Sequence, residues 1–67
     1  MKYYTALLIT HNGSVLDTDT QDNLQYLLEN ALYWLKSIRI NHCNIIASVV
    51  DEDTGIVTQK LIAIIRK

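Results

Sequence analysis

The segment from Ile56 to Ile65 is apolar at positions of both parities. Val57, Leu61, Ala63 and Ile65 occupy odd positions, and Ile56, Ile62 and Ile64 occupy even ones. Side chains alternate between the two faces of a strand, so a strand with one wet face alternates apolar and polar residues. A run that is apolar throughout reads as covered on both faces. Only one segment of this chain has helical periodicity, and one helix covers one face of one sheet. In so short a chain the expected source of the second cover is another copy of the chain, or a partner protein.

Size sharpens that expectation. With 67 residues the chain is expected to form a single domain over 1–67. At this length folding buries only about 60% of the surface exposed by the unfolded chain, so a small domain commonly needs a disulfide, a metal or oligomerisation. One cysteine, Cys43, cannot make an internal disulfide, and no Cys/His set has zinc spacing. Oligomerisation remains. A hydrophobic fraction of 49% against 19% charged residues indicates a packed protein rather than a disordered one. A formal net charge of -1 gives no strong electrostatic footprint for nucleic acid or an anionic membrane. The apolar run after Tyr3 ends by Thr10 without a small-residue cleavage site, and no stretch nears the ~20 residues that span a bilayer. The expectation is a soluble, cytoplasmic protein without a membrane partner, a setting that also suits a lone thiol.

Tyr3 to His11 is rich in β-branched, aromatic and aliphatic residues and reads as a strand. Asn12-Gly13 suits a type I′ turn, with Ser14-Val15-Leu16 returning so that His11 faces Ser14 and Ile9 faces Leu16. Thr18-Asp19-Thr20-Gln21 has the form of a capping box, which starts a helix at Thr18. Asp19 and Asp22 then suit its positive end, and Lys36 and Arg39 its negative end. Leu24, Leu27, Leu28, Ala31, Leu35 and Ile38 form the buried stripe, and Asn41 closes the helix in the left-handed conformation. Cys43 to Val50 reads as a strand. Asp51 to Gly55 reads as a hairpin loop with Gly55 at positive φ, and a last strand runs from Ile56 to about Arg66. The fold class expected is α+β: a small antiparallel sheet of about four strands, ββαββ, with one helix on one face. Without the Asn12-Gly13 hairpin it shortens to βαββ.

The chemical motifs are weak. Counted from Asp17 as a calcium loop, the sixth and twelfth positions hold Asp22 and Leu28 instead of Gly and Glu. The apolar lead into Asp17-Thr18-Asp19 resembles the opening motif of haloacid-dehalogenase-like phosphatases. Gln21, however, stands where that motif ends in Thr or Val, and 67 residues cannot hold the other catalytic segments. Asp51-Glu52-Asp53 is explained by turn chemistry, since three adjacent carboxylates on a short loop cannot converge on one ion unaided. Cys43 with His11 or His42 suggests a nucleophile and base, but His42 is its neighbour on a strand and neighbours point to opposite faces, and a small apolar core role suits Cys43 better. Neither a catalytic site nor a metal or other cofactor is expected.

One constellation stands out. At about 100° per residue, Tyr26 and Tyr33 lie on the helix face opposite Leu24, Leu28 and Leu35, with Asn30 and Ser37 alongside and Trp34 at the flank. Tyr and Trp bury large rings at interfaces while their polar tips stay hydrogen-bonded. The Met1-Lys2-Tyr3 opening and the plan of a hairpin followed by a helix resemble the N-terminal domains of HicB-like antitoxins. The glycine-rich segment that precedes the helix in that family has no counterpart here, and no DNA-binding domain follows within these residues.

Two functional readings come from different classes. The first is a small non-enzymatic interaction module, homodimeric through Ile56, Ile62 and Ile64, meeting another protein through Tyr26, Tyr33 and Trp34 as an accessory or regulatory factor. The second is a nucleic-acid-binding accessory protein using Lys36, Arg39, Lys60, Arg66 and Lys67. Those cations are few and offset by acids, whereas phosphate binding normally shows a basic stripe.

Overall fold

The computed structural model describes residues 1–67. The elements run β1 (Lys2–Thr10), β2 (Val15–Gln21), α1 (Leu24–Trp34), β3 (Ile40–Val50) and β4 (Val57–Arg66). The expected ββαββ order and α+β class are present. The strands form one antiparallel sheet in the spatial order β2-β1-β3-β4, an arrangement that the local patterns did not specify. The chain's two long central strands are therefore β1 and β3, and the edges are β2 and β4.

The first hairpin exists, but its turn differs from the type I′ expectation. Gly13 N–H donates to Thr10 O at 3.0 Å and Thr10 N–H to Ser14 O at 2.9 Å. Within this turn only Gly13 has positive φ, at 88°, and Asn12 does not. The loop is thus His11–Gly13, a tight turn followed by a left-handed glycine, which is a common three-residue hairpin connection. Its bracing is side-chain chemistry: Asn12 Oδ1 accepts from the Thr10 hydroxyl and from Ser14 N–H. Ile9 then faces Val15 rather than Leu16, and a bulge at Leu16 restores the register, with Leu8 facing Asp17.

The capping box does not form, because Thr18 to Gln21 belong to β2. Alternation sends Asp17, Asp19 and Gln21 to the helix side and Thr18 and Thr20 to the other, where Thr20 Oγ1 lies 3.2 Å from Thr5 Oγ1 across the strands. β-Branched residues that gain a complete ladder with β1 outweigh a cap interaction of about 1 kcal/mol. The helix begins at Leu24 instead. Asn23, extended at φ -105° and ψ 113°, caps it by accepting from Tyr26 N–H at 3.1 Å.

The helix also ends early. Leu35 N–H still reaches Ala31 O, after which Lys36 and Ser37 N–H turn to Tyr33 and Trp34 O in a tightened last turn. Asn41 is a β3 residue, no non-glycine residue has positive φ, and Ile38 is 86% exposed rather than buried. Neither acids in the first turn nor bases in the last complement the helix dipole.

The second hairpin follows the sequence closely. Gly55 has φ 74°, its N–H donates to Asp51 O, and Asp51 Oδ1 accepts from Asp53 and Thr54 N–H. The core lies between α1 and the centre of the sheet. Leu27, Ala31 and Leu35 pack on Ala6, Leu8, Ile40, Cys43 and Ile45, with Tyr4, Leu24, Leu28, Ala63 and Ile65 around them. Because α1 contacts β1 and β2 most extensively, β4 lies farthest from its cover.

Candidate interaction surfaces

Register assigns each side chain to a face, since paired residues share one. The helix face carries Tyr4, Ala6 and Leu8 of β1, Ala47, Ile45 and Cys43 of β3, and Ala63 and Ile65 of β4. The open face carries Thr5, Leu7 and Ile9, then Ser48, Ile46 and Asn44, then Gln59, Leu61 and Ile64. A simple odd-even rule fails on β4. Ile45 pairs with Ala63 but Ile46 with Leu61, so Ile62 is an extra residue in a bulge. Leu61 and Ile64 therefore share the open face, although their parities differ.

That face is less apolar at its centre than β4 alone suggests. Ser48 is fully buried there and accepts from Gln59 Nε2 at 3.3 Å. Asn44, paired with Leu7 and Ile64, has a buried Oδ1 without a hydrogen-bond partner, a cost normally avoided in folded proteins. The apolar exposure concentrates on and beside β4: Ile62 is 42% and Ile64 45% exposed, and Ile56, in the loop before the strand, is 64% exposed. Leu61 and Val57 belong with them and were not singled out from the sequence. Their signal was the bulge, which a pattern of side chains does not announce.

The helix back is aromatic, as the spacing suggests. Tyr26 and Tyr33 are well exposed and Trp34 less so. Tyr33 and Trp34 meet edge to face at 6.0 Å between centroids, and Lys36 Nζ lies 5.8 Å from the Tyr33 centroid. Leu32 adds an exposed aliphatic side chain to the helix surface. Asn30, expected beside the tyrosines, instead donates from Nδ2 to Asp19 Oδ2 at 3.0 Å and ties α1 to β2.

The remaining candidate groups lie apart from one another. Cys43 is buried on the helix face, its thiol pushed above the ordinary value of 9.0 by desolvation, while His42 belongs to the other face. His11 and His42 bracket Asn41. The Asn41 amide nitrogen donates to His11 Nδ1, which leaves His11 Nε2 to donate to Ile38 O at 2.9 Å, and His42 Nδ1 donates to Asn41 Oδ1. The cations form no single stripe: Lys60 pairs with Ala47 on the helix face, Arg66 pairs with His42 on the open face, and Lys67 Nζ is held by Ser37 O.

No helix is long and apolar enough to cross a membrane. No family model, curated protein or solved structure matches the chain.

Proposed function

We propose that this chain is a small non-enzymatic interaction module that works as a homodimer and serves as an accessory or regulatory binding protein. The observation that carries the reading is the exposure of β4, where Ile62 and Ile64 remain 42% and 45% accessible in the isolated chain. Exposed apolar surface of this kind, on a domain too small to stabilise itself generously, is characteristic of association sites. Ile56, Ile62 and Ile64 form the self-association surface in this reading. Tyr26, Tyr33 and Trp34 form a second surface, for a different protein. A buried thiol separated from its neighbouring imidazole supports a binding role over nucleophilic chemistry. A lone reduced cysteine also suits the cytoplasm.

Sedimentation at micromolar concentration tests the dimer, and a stable monomer there overturns it. For the second surface, the double substitution Tyr26→Ser and Tyr33→Ser should leave thermal stability nearly unaltered while weakening a partner identified by co-purification. Aromatic hot spots commonly cost at least ~2 kcal/mol when truncated, or roughly thirtyfold in affinity. Unchanged affinity removes the helix back from consideration.

A further inference from the structure

The two edges of the sheet are unlike, and we infer that β4 pairs antiparallel with β4 of a second copy to make one continuous eight-stranded sheet. This inference rests on the reading that the chain self-associates, and it names the contact. Hydrogen bonds fix which backbone groups are free. Val50 N–H bonds to Met1 O on the β1 side, and Asp51 N–H bonds to Ile56 O on the β4 side. Alternation along β3 then directs Val49 and Ala47 toward their partners Thr58 and Lys60, which turns the N–H and C=O groups of Val57, Gln59 and Leu61 away from the sheet.

The opposite edge is blunted. The same alternation turns Thr18 outward on β2, and there its N–H is already taken by Asp17 Oδ1 at 2.8 Å. Pairing β2 with itself about Thr18 sets Asp17 against the Asp19 of the copy, a like-charge contact that disfavours association. β4 has neither protection. The side-chain bonds near it go to Ile56 N–H in the preceding loop and from Gln59 to the Ser48 hydroxyl, leaving its outer backbone uncapped. Long uncovered edges are normally shielded by charge, proline or a bulge; the bulge of β4, at Ile62, lies beyond the Val57–Leu61 stretch, and the one charge within that stretch, Lys60, meets Thr58 rather than a second lysine when β4 pairs with itself about Gln59.

The complementarity of β4 to itself selects a second copy as the occupant. A two-fold axis normal to the sheet at Gln59 brings donor against acceptor, places Val57 opposite Leu61 and Thr58 opposite Lys60, and sets no like charges face to face. Val57 and Leu61, 47% and 49% exposed, then cover one another on the open face. Both helices lie on the same side of the joined sheet, clear of the new contact.

Amide hydrogen exchange followed residue by residue, at rising protein concentration, tests the pairing. The amides of Val57, Gln59 and Leu61 should slow in step with dimer formation, and Gln59→Pro should yield a folded monomer, because it removes an outward N–H while sparing the β3 ladder. Dimers in which these three amides exchange freely overturn edge pairing and leave association through the open face standing. A monomer at every concentration overturns both this inference and the dimer itself. Should Gln59→Pro fail to fold, the exchange pattern of the unmodified chain decides the matter.

Discussion

Asn23 performs the task that Thr18 was expected to perform. Its side-chain oxygen satisfies the Tyr26 N–H, one of the four donors a helix start leaves free. Asn23→Ala should therefore cost about 0.5–2 kcal/mol in denaturant unfolding, while Thr18→Ala, on the exposed open side of an edge strand, should stay within about 0.5 kcal/mol. The reverse ranking would restore the capping box. Cys43 gives a second residue-scale prediction. Burial raises its folded-state thiol above 9.0, so the unfolded chain loses this proton first as pH rises. The Cys43 contribution to stability should be fully present below pH 9.0 and decline above it until the folded thiol also ionises. Cys43→Ala should flatten that alkaline decline relative to the parent protein, and equal slopes for the two would contradict the assignment.

At the scale of elements, what the sequence made legible depended on whether the decisive interaction was local. Gly55 was readable because a five-residue turn with Asp51 at its start needs one left-handed residue, and that residue has φ 74° with empty space where a Cβ would sit. Gly55→Ala should then cost about 1–2 kcal/mol through backbone strain alone, and Gly55→Asn, which tolerates this conformation, should recover part of the loss in thermal unfolding. The helical stripe was readable for the same reason, since Leu27, Ala31 and Leu35 all lie in the core. The helix start was not, because Thr18 to Gln21 satisfy a local capping pattern and a strand pattern equally well. The choice is made by β1, which is distant in sequence and offers them a ladder. The face of Ile64 was likewise set by the bulge opposite Ile45 and Ile46, a register effect with no residue signature. Of the surfaces, the tyrosines followed directly from helical spacing, whereas the contrast between the β2 and β4 edges required the spatial strand order.

The whole molecule is thin and extended, measuring 43 × 23 × 16 Å with a radius of gyration of 12.6 Å, where a compact chain of this length has about 11 Å. Ten of its 67 residues are buried, which leaves little apolar burial to offset chain entropy and makes a subunit contact consequential for stability. In a dimer, unfolding and dissociation are coupled, so each tenfold increase in concentration adds about 1.4 kcal/mol. That should raise the thermal midpoint on the order of 5 °C for a dimer of this size. Ile64→Lys separates this behaviour from ordinary surface tolerance. In a lone chain a side chain that is 45% exposed should accept the change within about 0.5 kcal/mol. In a dimer held through Ile62 and Ile64, as distinct from one joined at the Val57–Leu61 edge alone, lysine forfeits part of the roughly 1.5–3 kcal/mol that a fully buried isoleucine contributes. The variant should then sediment as a monomer and lose the concentration dependence of its midpoint. A midpoint independent of concentration in the parent protein, together with an unperturbed Ile64→Lys variant, would place the second cover of β4 outside any contact between copies.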